Sequence, residues 1–244
     1  MMKIKILYED ANILAIDKPS GILVHPDKTS KEKTILDWAI KKYPKVKVVH
    51  RLDKETSGVL LLAKNIKAHE FLKSQFSAPA LELKTKHGLA DKQDRVNKTY
   101  VAIVNGWVKN DHGTITKPIG RSPADFRRRL SGRGARGELR EAITEYKVLR
   151  RFEVPACKIF SKPSLSKFSY LEISPKTGRT HQIRVHMKFL NHPVACDALY
   201  NPKGSCPVSF SRLALHAHSI EFKNLKGKTI KVESPLPKEF SSLL

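Results

Sequence analysis

Cysteine is scarce. Cys157, Cys196 and Cys206 are the only three in 244 residues, an odd number without CxxC spacing. Such a set reads as reduced cytosolic thiols of no special role. Long hydrophobic runs are missing too: nothing approaches the roughly 20 apolar residues that a bilayer span needs. Near the start, Lys3 and Lys5 surround only short apolar stretches before Tyr8 and Glu9, too little for a signal peptide. A cytoplasmic protein that does not engage membrane is the expectation. Acidic residues are in deficit, with 23 Asp and Glu against 46 Lys and Arg, giving a formal net charge of +23. Self-repulsion of that size costs stability unless a polyanionic partner relieves it. Nucleic acid is the first candidate and an anionic membrane surface the second. No basic amphipathic helix with a Trp- or Phe-rich face supports the membrane. Composition is otherwise that of a folded chain, 40% hydrophobic and 28% charged, which excludes a disordered one.

What is present is mostly β-like. Ile4–Tyr8, Asn12–Ile16, Val59–Ala63, Thr99–Val104, Ile143–Leu149, Phe168–Ile173, Ser219–Phe222 and Thr229–Val232 read as strands. Three segments read as helices: Lys33–Tyr43, Asn65–Phe76 with Asn65 as N-cap, and Thr180–Leu190 with Thr180 as cap and Ile183, Met187 and Leu190 facing inward. Strands and helices are interspersed without a βαβ rhythm. The expectation is therefore α+β, with a mixed, mostly antiparallel sheet flanked by helices and loops. Two stretches break the pattern. Residues 77–97 are polar and lysine-rich and read as a solvated loop. Residues 121–140 hold the run Arg127, Arg128, Arg129 and the glycine-spaced Arg133 and Arg136, which suits a mobile arm that orders on a phosphate backbone. No internal repeat and no linker divides residues 1–244, so one domain is expected.

Three segments carry chemistry. His50-Arg51-Leu52-Asp53-Lys54-Glu55-Thr56-Ser57-Gly58 is a charged loop leading into an apolar strand, where a rigid sheet edge fixes polar side chains. Lys98-Thr99-Tyr100-Val101-Ala102 sets a tyrosine at a strand start. Thr177-Gly178-Arg179-Thr180-His181-Gln182-Ile183-Arg184-Val185-His186-Met187 is a glycine turn opening a helix, with Arg184 near the edge of the buried face. There it can meet a carboxylate from another segment in a bidentate pair. Read singly, Asp53 is equally a loop carboxylate paired with Arg51 or Lys54. Tyr100 is equally a half-buried core ring, and Arg184 part of a solvated basic face.

Taken together, these segments resemble the signature motifs of the RluA-type pseudouridine synthases. Asp17-Lys18-Pro19-Ser20-Gly21-Ile22-Leu23-Val24-His25-Pro26, Leu215-His216-Ala217-His218 and Ser234-Pro235-Leu236-Pro237 extend the likeness over nearly the whole chain, in the family's order. The resemblance implies an isomerase that breaks the N1–C1′ bond of a uridine in structured RNA, turns the base and joins C5 to C1′. It implies Asp53 as the catalytic aspartate and Tyr100 as the ring that stacks on the flipped uracil. It implies Arg184 as the basic partner of the aspartate, and Arg51 as the residue that enters the RNA stack. Ile183 and Leu215 fall in the apolar wall of the pocket. Arg179, Arg127, Arg128 and Arg129 are candidates for RNA contact. Neither metal nor cofactor is required by this chemistry, since a carboxylate can act covalently at the sugar or stabilise it. The base must first leave its helix, at a cost of a few kcal/mol.

The chain departs from the family pattern in three places. The catalytic pattern starts almost at Met1, where many members carry an S4 RNA-binding domain. Residues 77–97 make a longer connection than usual. Ala195-Cys196-Asp197-Ala198-Leu199-Tyr200 stands where a Gly-Asp-Pro-Leu-Tyr-like run is usual. The absent module leans towards a small stem-loop target, with ribosomal RNA and tRNA both open. No obligate protein partner and a monomeric state are expected. Two rival readings fit the sequence. One is an inactive RNA-binding or ribosome-assembly protein on the same fold, against which the intact Asp53, Arg51, Tyr100 and Arg184 argue. The other is a metal-dependent hydrolase, suggested by ten histidines but lacking HExxH, with His181 and His186 five apart rather than four.

Overall fold

The computed structural model describes residues 3–26, 32–77, 95–132, 134–157 and 164–243. In chain order its first elements are β1 (Lys5–Glu9), β2 (Ile13–Lys18), α1 (Ile35–Lys42), β3 (Lys47–Val48), β4 (Ser57–Ala63) and α2 (Ile66–Ser77). Then come β5 (Asn97–Asn105), β6 (His112–Thr116), β7 (Ile119–Arg121), β8 (Arg129–Ser131), β9 (Arg136–Arg140), β10 (Ile143–Cys157) and β11 (Ser164–Pro175). The last are α3 (Gln182–Phe189), β12 (Cys206–Pro207), β13 (Leu215–Lys223), β14 (Thr229–Glu233) and α4 (Lys238–Ser241). They form two compact units. One comprises Met1–Lys98 with Ala217–Pro235, the other Thr99–His216 with Leu236–Leu244.

In the first unit, β2 lies between β1 and β4, with Ile6 opposite Ile16 and Ile16 opposite Leu60, antiparallel on both sides. β13 neighbours β4, and β14 pairs antiparallel with β13. Every residue of β4, Ser-Gly-Val-Leu-Leu-Leu-Ala, is buried, which explains its unbroken apolar run. Gly58 within it has φ 111°, and a β-carbon there would overlap the Ala217 backbone, so only glycine fits. The helices close over this sheet for local reasons. α1 starts with a capping box in which Thr34 accepts the Asp37 amide and Asp37 accepts the Thr34 amide at 2.8 Å. α2 is capped by Asn65, which accepts the Ala68 amide at 2.9 Å, and it buries Ala68 and Leu72 against Ile13, Leu61 and Phe222.

The second unit is built on a long antiparallel ribbon. β10 and β11 pair from Thr144 opposite Pro175 to Ala156 opposite Ser164, with a register shift between Val148 and Arg150. β5 lines the far side of β11, and β6 and β12 pair with β10. α3 buries Ile183 and Met187 into a core with Val101, Ile103, Phe168, Leu171 and Leu215. The fold is thus α+β with largely antiparallel sheets, as the strand pattern indicates.

Within residues 121–140, read from the sequence only as an arginine-rich arm, β8 and β9 pair with β7 in a small antiparallel sheet, in the order β8-β7-β9. Gly132, Gly134 and Gly137, all at positive φ, supply the bends that such short strands need. Two local expectations need correction. Thr180 is not the cap of α3. His181 holds that position at φ 57° without a side-chain cap bond, and the Gln182 side chain instead accepts the Arg179 amide at 3.0 Å and the Thr177 hydroxyl at 2.7 Å. Lastly, the thiols are not all reduced. Cys196 and Cys206 form a disulfide and Cys157 is the free cysteine among the described residues. The chain turns back between positions 194 and 206 and brings the two α-carbons within 4.9 Å. Residues 78–94, most of the lysine-rich stretch, and Arg133 lie outside the described residues.

Candidate active site

Asp53 belongs to the first unit, in the loop that runs into β4. Its carbonyl accepts the Thr56 amide at 3.1 Å, closing a turn over Lys54 and Glu55. The turn is gripped from outside by residues 18–21. Lys18, fully buried at the end of β2, donates from Nζ to the carbonyls of Pro19 at 2.8 Å, Ile22 at 2.7 Å and Lys54 at 2.9 Å. The Gly21 amide also donates to the Lys54 carbonyl, and the Ser20 hydroxyl to the Glu55 carbonyl at 2.6 Å. A buried ammonium is tolerated only with its donors satisfied, and here satisfying them ties the turn to the sheet. Asp53 is half-buried and Arg51 exposed. Lys54 pairs with Glu32 at 2.9 Å.

His50 anchors the other end of the loop. Its Nε2 accepts the Leu61 amide at 2.9 Å, and its ring stacks on Phe76 with centroids 4.6 Å apart. Burial, helped by the positive charge of Lys98, pushes the imidazole down to about 3, so it stands neutral. Lys98 is itself lowered to about 8 by burial and by Arg95.

The remaining candidates lie in the second unit. Tyr100, on β5 opposite Ile173, packs partly buried against the cluster that holds Ile183 and Leu215. The structure therefore gathers these three residues, which are 115 positions apart from first to last, into one apolar group. Arg184 is buried on α3. It pairs with Asp197: Nε donates to Oδ2 at 2.8 Å and Nη2 to Oδ1 at 2.7 Å. A bidentate pair was expected of Arg184, but composition and spacing had not singled out Asp197. The signal lay in the departure at residues 195–200, where the aspartate is kept while its neighbours change. Tyr200 was also missed. Its ring lies 5.0 Å from the Arg184 guanidinium, and its hydroxyl accepts the Arg129 amide at 2.8 Å and meets His181 Nδ1 at 2.9 Å.

The arginines of the small sheet converge only in part. Arg121, Arg129, Arg140 and Arg179 line a cavity of about 380 Å³ with Gly120, Gly137, Gly178, Thr180 and Glu138. Arg179 also donates to the Glu141 carbonyl at 2.9 Å, and Glu138 pairs with Arg140 at 2.8 Å. Arg127 and Arg128 instead share Asp125, at 2.9 and 3.4 Å, and the Arg127 bonds hold that carboxyl down to about 2. Their charge is thus partly balanced within the loop. On α3, burial holds the His186 imidazole below its ordinary value, against the opposing hydrogen bond to the Lys117 carbonyl; that carbonyl and the Thr144 hydroxyl are each 2.9 Å away. Among the described residues, no three His, Cys, Asp or Glu side chains group in a way that could hold a metal ion.

Residues 12–189 match the family described as RNA pseudouridylate synthase, and the chain belongs to that family. It is 34% identical to the uncharacterized RNA pseudouridine synthase YlyB of Bacillus subtilis, over all of this chain and 72% of that protein. It is 36% identical to the ribosomal large subunit pseudouridine synthase D of Borreliella burgdorferi, covering 97% of this chain and 66% of that one. A solved structure of human RNA pseudouridylate synthase domain containing 1 shares the fold, with a TM-score of 0.67 at 24% identity over 96% of this chain and 84% of its own. The chain is thus an isomerase that converts uridine in RNA to pseudouridine, and these likenesses lend nothing to the inactive alternative.

Proposed function

We propose that this enzyme modifies uridines of ribosomal RNA, with Asp53 as the catalytic carboxylate, Tyr100 stacked on the extruded uracil and Arg184 as the basic partner of the aspartate. The observation that carries the assignment of Asp53 is the grip on its turn: a fully buried lysine and two further hydrogen bonds fix a loop that would otherwise be a mobile surface turn. Catalysis by a carboxylate at the sugar needs such fixing, because a misplacement of about 1 Å can cost on the order of 100-fold in rate. Ribosomal RNA is favoured over tRNA because several relatives are named for the large ribosomal subunit. Arg51 enters the RNA stack. Arg121, Arg129, Arg140 and Arg179 take backbone phosphates in their shared cavity, while Arg127 and Arg128 contribute less because Asp125 balances them. Ile183 and Leu215 support the apolar side of the uracil pocket. Both compact units serve one catalytic domain, working as a monomer in the cytoplasm without an obligate protein partner. Among the described residues no helix is long and apolar enough to cross a membrane. Cleaving and rejoining the base moves no net electrons, so no redox cofactor enters the scheme.

Joining C5 to C1′ expels the hydrogen at C5. Tritium release from RNA labelled at uridine C5 therefore follows the reaction directly. Release from unmodified ribosomal RNA with none from tRNA is expected; the reverse would transfer the target to tRNA.

A further inference from the structure

Arg184 is held more firmly than a helix-borne arginine requires. The guanidinium is chelated along its Nε–Nη2 edge by Asp197, and the Tyr200 ring lies 5.0 Å from its central carbon. The chelate fixes rotation within the guanidinium plane, and the neighbouring ring restricts tilting of that plane. Asp197 in turn is not free to follow Arg184. Its Oδ1 accepts the amides of Leu199 at 3.0 Å and Tyr200 at 2.9 Å, so the backbone sets the place of the carboxylate. Val194 and Ala195, three and two positions before it, hang on β5, the strand that carries Tyr100: Val194 bridges Val104, and the Ala195 amide donates to the Ile103 carbonyl at 2.8 Å. Cys196, immediately before Asp197, adopts φ 58° and is tied to Cys206. Side-chain exposure is 8% for Arg184 and 0% for Asp197. Burying an ion pair is expensive and rarely adds stability over an apolar pair, so its geometry needs a reason other than stability.

We propose that Asp197 is a positioning residue for the isomerisation: it aims Arg184 from the scaffold that also places Tyr100, and Tyr200 steadies that aim. The proposal rests on the reading that Arg184 serves the reaction. Asp197 acts only through Arg184, so its loss is felt in the chemical step and not in RNA affinity.

The test is single-turnover tritium release, with RNA affinity measured in parallel, for Arg184→Lys, Asp197→Asn and the double variant. Asp197→Asn keeps an amide oxygen for the Leu199 and Tyr200 amides but removes the charge and half of the chelate. The expected result is a rate loss of about 10- to 100-fold, with RNA affinity within about threefold. The double variant should be no slower than Arg184→Lys alone, because partners acting as one unit are not additive. Losses that multiply in the double variant, or a wild-type rate for Asp197→Asn beside a slow Arg184→Lys, would overturn the positioning role alone. A wild-type rate for Arg184→Lys would overturn the role of Arg184 and with it this proposal. Should Asp197→Asn not fold, Asp197→Glu carries the test. It keeps the ion pair and displaces it by one methylene, and the same rate loss at unchanged affinity is expected. Undiminished turnover there overturns the proposal.

Discussion

His50 accepts the Leu61 amide proton at Nε2, which only an imidazole unprotonated at that atom can do. The ring titrates near 6.5 when exposed and near 3 in the folded protein, so between those values the unfolded chain binds more protons. The stability that neutral His50 supplies is therefore complete above about pH 6.5 and is lost as pH falls towards 3. Urea midpoints should fall on acidification through that window. His50→Gln, whose amide oxygen still accepts and does not titrate, should flatten that part of the slope; an unchanged slope would remove His50 as its source. Lys18 supplies a second residue-scale expectation. Lys18→Met takes a donor from the carbonyls of Pro19, Ile22 and Lys54, of which only that of Lys54 keeps another in the Gly21 amide, and should cost about 2–4 kcal/mol in urea unfolding. Neither role was assigned from the sequence, although both residues lie in motifs that the resemblance quoted. A fully buried lysine is rare enough that pattern alone assigns Lys18 to the surface. The clue was its place directly after an apolar strand and before a Pro-Ser-Gly turn, whose carbonyls need donors.

Elements with hydrophobic alternation were legible and those without it were not. The core strands β2, β4, β5 and β11 were found within a few residues, because Ile, Val and Leu mark them. Alternation predicts β10 only to Leu149, since Arg150, Arg151 and Glu153 break it; the strand runs to Cys157 because β11 supplies hydrogen bonds along the whole ribbon. The strands β8 and β9 were invisible for the same reason, arginine carrying no periodic signal. Their pairing with β7 sets Arg121, Arg129 and Arg140 around the cavity that Arg179 also lines. If it takes phosphates, Arg121→Gln and Arg140→Gln should each weaken binding to all RNA sequences alike and lower the salt slope by about 1 or less. Filter binding at several salt concentrations measures this, and unchanged slopes would move the RNA path elsewhere. The disulfide could not be read from an odd cysteine count, because only the folded path brings Cys196 to Cys206. It closes a short loop, so Cys206→Ser should cost roughly 2–3 kcal/mol. Equal stability of the variant and the oxidised protein would show that the loop needs no tether.

At the scale of the whole molecule, the charge of +23 pointed to a polyanion without saying whether the chain acts on it. Chemistry was legible only where long motifs stood in order, and there the family membership agrees. Geometry added what spacing could not: the grip on the Asp53 turn and the partner that Arg184 keeps. RNA binding should weaken steeply as salt rises, and because the charge is spread widely, no single arginine should abolish it. Turnover, by contrast, should hinge on one carboxylate. The most direct test of that contrast is tritium release from C5-labelled ribosomal RNA by Asp53→Ala beside the wild type, with RNA affinity measured on the same preparations. Loss of release with affinity within a few-fold is the predicted result. Retained release by Asp53→Ala would contradict the account at its centre.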